Sequence, residues 1–203
     1  MRTPFIAACV SVLTGGCIHQ FAEAPKATAD MAATKNSSVR GTVNFVQLGD
    51  KVRVTAALSG LKPNGEYGFH IHEAGDCSSG DGMSAKGHFN PAGKPHAQAG
   101  MMDRHAGDLP SVRSDQNGHA ILVADVDAIT VAPGPASIIG RGLIVHAQAD
   151  DYKTQPTGNA GARSACGVIK TVEKASGDPA KGAPKAPAKE PAKEPAEPAA
   201  QSG

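Results

Sequence analysis

The feature that most limits what this chain can fold into is a two-residue alternation that recurs in short bursts between turn residues. Val39, Gly41, Val43 and Phe45 alternate with Arg40, Thr42 and Asn44, the period of a strand with one face buried. Val52, Val54, Ala56 and Leu58 repeat it opposite Lys51, Arg53 and Thr55, and Gly49-Asp50 forms a tight turn between the two runs. Lys62-Pro63-Asn64-Gly65 is a second turn. Further strands are expected at 67–72, 119–124, 143–147 and 166–172, with a weaker opening strand at 27–34. Aromatic residues make up only 3% of the chain and tryptophan is absent, while Gly (24) and Pro (15) are abundant. The core must therefore be built from Val, Ile, Leu and Ala, and the chain must turn often. With no long helical pattern to compete, an antiparallel β-sandwich or flattened barrel follows.

The ends differ in character from this middle. Residues 3–16 carry no charge and follow Arg2, a short positive start and apolar stretch that read as an export signal over 1–16. Thr14-Gly15-Gly16-Cys17 resembles the cleavage and lipidation site of bacterial lipoproteins, which would make Cys17 the lipidated first residue of a tether over 17–25. Leu13 stands four residues before that cysteine rather than the usual three, and ordinary export by a signal peptidase is the alternative. Residues 175–203 are dominated by Ala, Pro, Lys and Glu and contain no Val, Ile, Leu or aromatic side chain. Such a stretch buries too little to offset the entropy of ordering, so an extended, Pro-stiffened, disordered tail is expected. The folded unit is then 26–174. No apolar run reaches the roughly 18 residues a bilayer-spanning helix needs. A net charge of +1 excludes a dedicated nucleic-acid binder.

Six of the eight histidines carry the chemical information. In Gly68-Phe69-His70-Ile71-His72, strand alternation turns His70 and His72 to one face and Phe69 and Ile71 to the other. His88, His96, His105 and Asp108 follow within 76–115, a region with little periodicity; a loop of about 40 residues inside a compact domain has a function or a cross-link. Imidazole and carboxylate suit Zn²⁺ and Cu²⁺. These are more ligands than one tetrahedral site uses, which points to two metals, or to one metal and a surrounding layer of hydrogen-bond partners. His105 and Asp108 are close enough to chelate one ion. His70 and His72 would hold another, completed by His146 at the end of an apolar run, and His88 and His96 could serve either. Cys77 and Cys166 are most simply a disulfide in an exported protein, with thiolate ligation as the alternative.

Five blocks in order resemble the copper/zinc superoxide dismutase family: Gly68-Phe69-His70-Ile71-His72-Glu73, Gly87-His88-Phe89-Asn90-Pro91, His105-Ala106-Gly107-Asp108-Leu109-Pro110, Val145-His146, and Gly158 to Ile169 around Arg163 and Cys166. The resemblance implies an all-β fold, an eight-stranded Greek-key β-barrel or sandwich with long metal-binding and active-site loops. It implies copper on His70, His72, His88 and His146, and zinc on His88, His96, His105 and Asp108, so that His88 is shared. Asp150 resembles the family's carboxylate that hydrogen-bonds ligands of both metals. Arg163 resembles its substrate-receiving arginine, and Cys77 and Cys166 its disulfide. Cys77 follows His72 closely and the segment 147–162 is short, both like the bacterial branch, whose members are monomers or homodimers. That short segment lacks the charged stretch that steers substrate in eukaryotic enzymes, which leaves Lys86 and Lys153 as candidates.

The implied activity is dismutation of superoxide to dioxygen and hydrogen peroxide in the periplasm, protecting the cell envelope. Zinc has no redox chemistry, so copper would be the working metal, with His88 handling a proton and Arg163 receiving the anion. A non-catalytic periplasmic copper/zinc-binding protein on the same fold is the main rival, and would be expected to lack a copper ligand or the arginine. A zinc hydrolase would need an open zinc position that four ligands leave no room for.

Overall fold

In the computed structural model, residues 23–172 are described, and the alternating runs are strands. They are β1 (Lys26–Ala33), β2 (Arg40–Leu48), β3 (Lys51–Ser59), β4 (Glu66–Tyr67), β5 (Phe69–His72), β6 (Val112–Arg113), β7 (Ala120–Val126), β8 (Gly142–His146), β9 (Arg163–Val168) and β10 (Lys170–Thr171). One turn of 3₁₀ helix covers Met83–Ala85. The expected signal, tether and tail lie outside the described residues except for Glu23, Ala24 and Pro25.

The strands run antiparallel in the order β5-β8-β9-β1-β2-β3-β7, with β10 pairing β1, while β4 and β6 form a separate pair. The neighbours β5–β8, β9–β1 and β3–β7 are not consecutive in the chain, as a Greek key requires. β6 packs against β7, so the β4–β6 pair closes the curled sheet back towards β5. The β2–β3 hairpin turns on Gly49, whose φ of +60° suits the first position of a two-residue loop.

Two expected strands are each divided. The run 67–72 breaks at Gly68, whose N–H donates to the Gln148 carbonyl while its own carbonyl accepts from His146. On either side, β4 pairs with β6 and β5 with β8. The last run starts earlier, at Arg163, and is interrupted at Ile169, which bonds to Gly140 and Arg141 instead. Counting each divided strand as one, the described residues lay down eight. β6 has only two residues, too few for a period to show.

Alternation places Ala27, Ala29, Met31, Val43, Phe45, Val52, Val54, Ala56 and Leu58 in the interior. They pack with Phe69, Ile71, Leu143 and Val145 of β5 and β8. Every residue of β5 and β8 is buried. One face of this strand pair meets the barrel core, and the other is roofed by the loops that carry the remaining histidines.

Candidate metal centre

β5 brings His70 and His72 to its loop-covered face, both fully buried. β8 adds His146 after a shift of register between Val145 and His146. The edge of β5 away from β8 is paired by loop segments rather than by a strand. Phe89 donates to the Ile71 carbonyl (2.8 Å), Ile71 to Gly107 (2.9 Å) and Glu73 to Gly87 (2.9 Å). These bonds set His88 opposite His72 and Asp108 opposite His70. Gly107 has no alternative here, because a Cβ would stand 2.3 Å from the Ile71 carbonyl oxygen.

Two groups of buried ligand atoms result, each with all its atoms within 4.8 Å of one another: His70, His72, His88 and His146, and His88, His96, His105 and Asp108. In the first, the outer nitrogens are spoken for. His70 Nε2 donates to Asp150 Oδ2 (2.7 Å), His72 Nδ1 to the Lys86 carbonyl (2.8 Å) and His146 Nδ1 to the Gly161 carbonyl (3.2 Å). Such bonds fix each tautomer and leave the other nitrogen's lone pair facing its neighbours. Among the described residues, five buried side-chain polar atoms have no partner: His70 Nδ1, His72 Nε2, His88 Nε2, His146 Nε2 and, elsewhere, Arg104 Nε. Each buried polar atom left so costs about 1–3 kcal/mol. Four converging ones are a donor set for a cation, and they fit one that takes imidazole nitrogen, as copper does.

Burial holds these imidazoles neutral. It lowers His70, takes His72 well below the ordinary value, His88 to about 4 and His146 to about 3. A ring that is already neutral can ligate without first losing a proton.

The second group is spaced like the corners of a tetrahedron. Asp108 Oδ1 lies 2.9 Å from His88 Nδ1, 3.0 Å from His96 Nδ1 and 3.4 Å from His105 Nδ1, and His105 Nδ1 is 3.3 Å from His88 Nδ1. Zinc–ligand bonds of about 2.0–2.1 Å give tetrahedral edges of about 3.3 Å. The other Asp108 oxygen accepts from the N–H groups of Ala97 and His105, both at 3.1 Å, which aims Oδ1 at the imidazoles. Burial alone would raise the Asp108 pKa, but its bonds to His105, His88 and His96 outweigh this and hold it far below the carboxylate range.

His88 belongs to both groups, Nε2 facing one and Nδ1 the other. Asp150 joins them a second time, Oδ2 accepting from His70 and Oδ1 from His96 Nε2 (2.9 Å) and the Tyr152 N–H (2.7 Å). Burial pulls the His96 pKa down, but the two carboxylates beside it prevail and raise it to about 9. Gly158 covers this contact, where a Cβ would sit 1.8 Å from Asp150 Oδ1.

Arg163 opens β9 opposite His146. Its guanidinium donates to the carbonyls of Gly82 and Lys86, and its charge is felt at His72 and His146. The Lys86 carbonyl thus holds both Arg163 and His72. It is aimed there by a backbone with φ +64° and ψ −148°, a region almost reserved for glycine. Cys77 and Cys166 form a disulfide, Cα–Cα 5.8 Å, rather than a thiolate ligand pair. It ties the loop after β5 to β9, and Ala85 of the Gly82–Lys86 segment packs beside it with Ile144 and Cys166.

A sequence model of the copper/zinc superoxide dismutase family matches residues 39–169. The chain belongs to that family. It is 43% identical over 143 residues to the Cu-Zn superoxide dismutase of Paramecium bursaria Chlorella virus 1, covering 68% of this chain and 75% of that one. Cu-Zn superoxide dismutases 2 and 1 of Aquifex aeolicus (strain VF5) are 37% and 38% identical over 154 and 149 residues. These matches cover 74% and 71% of this chain and 90% and 88% of theirs. Among solved structures, a crystal structure of the clock protein EA4 superposes with a TM-score of 0.67 at 41% identity, over 76% of this chain and 99% of that one.

The structure brings His70, His72, His88, His96, His105, His146, Asp108, Asp150 and Arg163 into one cluster, as a copper/zinc superoxide dismutase fold permits. Lys86 and Lys153 are exposed; the site engages Lys86 through its carbonyl. Cys17 lies outside the described residues. Three supports had no sequence signal, because they act through main-chain atoms or through a missing side chain: the Lys86 carbonyl, the Gly161 carbonyl and Gly158. Arg104 had none either. It is buried and donates to the Met101 carbonyl (2.7 Å) and to Asp127, tying the residue before His105 to the end of β7.

Proposed function

We propose that this chain is a copper/zinc superoxide dismutase that converts two superoxide anions and two protons to dioxygen and hydrogen peroxide. In this reading His70, His72, His88 and His146 hold copper, and His88, His96, His105 and Asp108 hold zinc. The observation that carries it is the set of four unpartnered imidazole nitrogens, one of them on a ring whose other nitrogen belongs to the neighbouring tetrahedron. Copper supplies the one-electron exchange, which zinc lacks.

The chain's own residues do the rest. Arg163 offers a permanent positive charge and a fork of donors to a small anion, and its position is set by the Gly82 and Lys86 carbonyls. His88 can store a proton at Nε2 while Nδ1 stays engaged on the other side, which a carboxylate could not do in the same way. Asp150 keeps His70 and His96 in the tautomers that present Nδ1 to the two ligand groups. Near-complete burial keeps water from competing for these nitrogens.

The test is the purified, disulfide-intact protein. It should carry copper and zinc together with dismutase activity, lose that activity on copper removal, and not regain it from zinc alone. Activity that survives copper removal refutes the reading. A non-catalytic binding protein would take both metals and show no turnover.

The same proposal places the enzyme in the bacterial periplasm, anchored through Cys17. Arg2 with the uncharged stretch after it supports export, and the Cys77–Cys166 bond suits an oxidising compartment. Mass spectrometry of the mature amino terminus decides the anchor: a diacylated Cys17 supports it, and a free amino terminus elsewhere overturns it.

A further inference from the structure

The residue between the two carboxylates, His96, lies in a stretch with no secondary structure, yet its ring touches Asp108 on one side and Asp150 on the other. A buried main chain without a ladder still needs partners for its N–H and C=O. Both come from one side chain. The His96 N–H donates to Gln155 Oε1 (2.7 Å), and Gln155 Nε2 donates to the His96 carbonyl (2.8 Å). The amide of Gln155 therefore does what a neighbouring strand would do, pairing with both main-chain groups of a single residue.

Gln155 belongs to the 147–162 segment, which also supplies Asp150 to the His96 ring and the Gly161 carbonyl to His146. That segment grips His96 twice, by its ring and by its backbone. The ring contact fixes orientation; the backbone contact fixes where the ring starts from. Without the second, the ring could keep its bond to Asp150 and still drift from the tetrahedron formed with His88, His105 and Asp108.

We propose that Gln155 is a positioning residue that sets how tightly the His88–His96–His105–Asp108 group retains its metal, acting through the His96 backbone. This rests on the reading of that group as the zinc site. It assigns to the amide a role separate from that of Asp150, because Asp150 also touches His70 and Gln155 does not.

The experiment uses the full chain loaded with copper and zinc. Release of each metal to a chelator is followed for the parent and for Gln155→Ala and Gln155→Glu. Partners of metal ligands typically change affinity by about 10–100-fold when removed. Zinc should leave Gln155→Ala about tenfold faster, with copper release within about twofold of the parent. Gln155→Glu keeps an acceptor for the His96 N–H but sets an oxygen against the His96 carbonyl, so zinc release should be at least as fast. Cobalt(II) bound in place of zinc should show a shifted visible absorption in Gln155→Ala. Zinc release equal to the parent's in Gln155→Ala overturns the proposal, as does equal acceleration of both metals, which would mean general loosening. If Gln155→Ala does not fold, the same comparison on Gln155→Glu decides. Failure of the parent itself to take both metals would refute the underlying metal reading, and is seen before any variant is compared.

Discussion

The sheet of β1, β2, β3 and β7 and the paired strands β5 and β8 are made of the same kind of backbone, but they are buried differently. On the first, inward apolar residues alternate with exposed ones, and even large side chains such as Ile121 (73% exposed) face solvent on its outside. On the second, both faces are buried, and the side turned from the core carries imidazoles with unpartnered nitrogens. The first region is held by core packing, by the ladders between its strands and by the Arg53–Asp125 ion pair that joins β3 to β7. The second accepts polar burial that is unfavourable until something occupies it, as sites built for a ligand do. Stability and function are thus carried by different faces of one barrel.

Acid should separate the two regions most. His88 and His146 have folded-state values of about 4 and about 3 against an ordinary 6.5, so between these limits the unfolded chain binds more protons than the folded one. What these two rings contribute to the stability of the metal-free protein is then fully present above pH 6.5 and is lost as pH drops towards 3. His96 has the opposite sign: raised to about 9, it contributes below 6.5 and loses that contribution as pH rises through 9. Denaturant midpoints of the metal-free protein across pH should trace this dome. A flat profile between pH 7 and 4 would mean that the cluster is not buried as described.

Phe45→Ala attacks the packed region alone. Phe45 is fully buried in the barrel, so about 3–5 kcal/mol of unfolding free energy should be lost, with metal content unchanged in whatever protein remains folded. Loss of metal in that fraction would show that the two regions are not separable. His146→Ala attacks the other side. Activity should fall by about a hundredfold or more through loss of copper, because ligand removal exceeds the effect of removing a ligand's partner, while zinc is mostly kept; co-loss of zinc would contradict the division into two groups.

Arg163→Ala is expected to be the mildest. The rate at low ionic strength should drop about tenfold, since its charge acts on the approaching anion and is screened by salt. The copper spectrum should stay nearly unchanged. Equal rates for variant and parent at low salt would remove Arg163 from the mechanism.

What could be read from the residues follows the same division. The β2–β3 hairpin was legible because its alternation and its Gly49 turn are local. The opposite facing of Phe69/Ile71 and His70/His72 was legible for the same reason. The break at Gly68 was not, since a strand that changes partners does so for tertiary reasons, here a main-chain bond to Gln148. β6 is too short to carry a period. In the site, residue types revealed the ligand candidates, but spacing alone left His88 and His96 unassigned, and resemblance to a family placed them. Gln155 and the Lys86 carbonyl stayed hidden because they work through hydrogen bonds to or from the main chain, which leave no trace in residue type.

The flank of β5 away from β8 is covered by loops and not by a further strand. A strand flank with bare amides and carbonyls is an invitation for another chain to add itself, and Phe69-His70-Ile71-His72 is an apolar-rich stretch of that kind. The short strips around Phe89 and Gly107 occupy that flank completely enough to bond with Ile71 in both directions. The loops that gather the histidines are therefore also a guard against self-association, and loosening them would put at risk the solubility of the whole molecule.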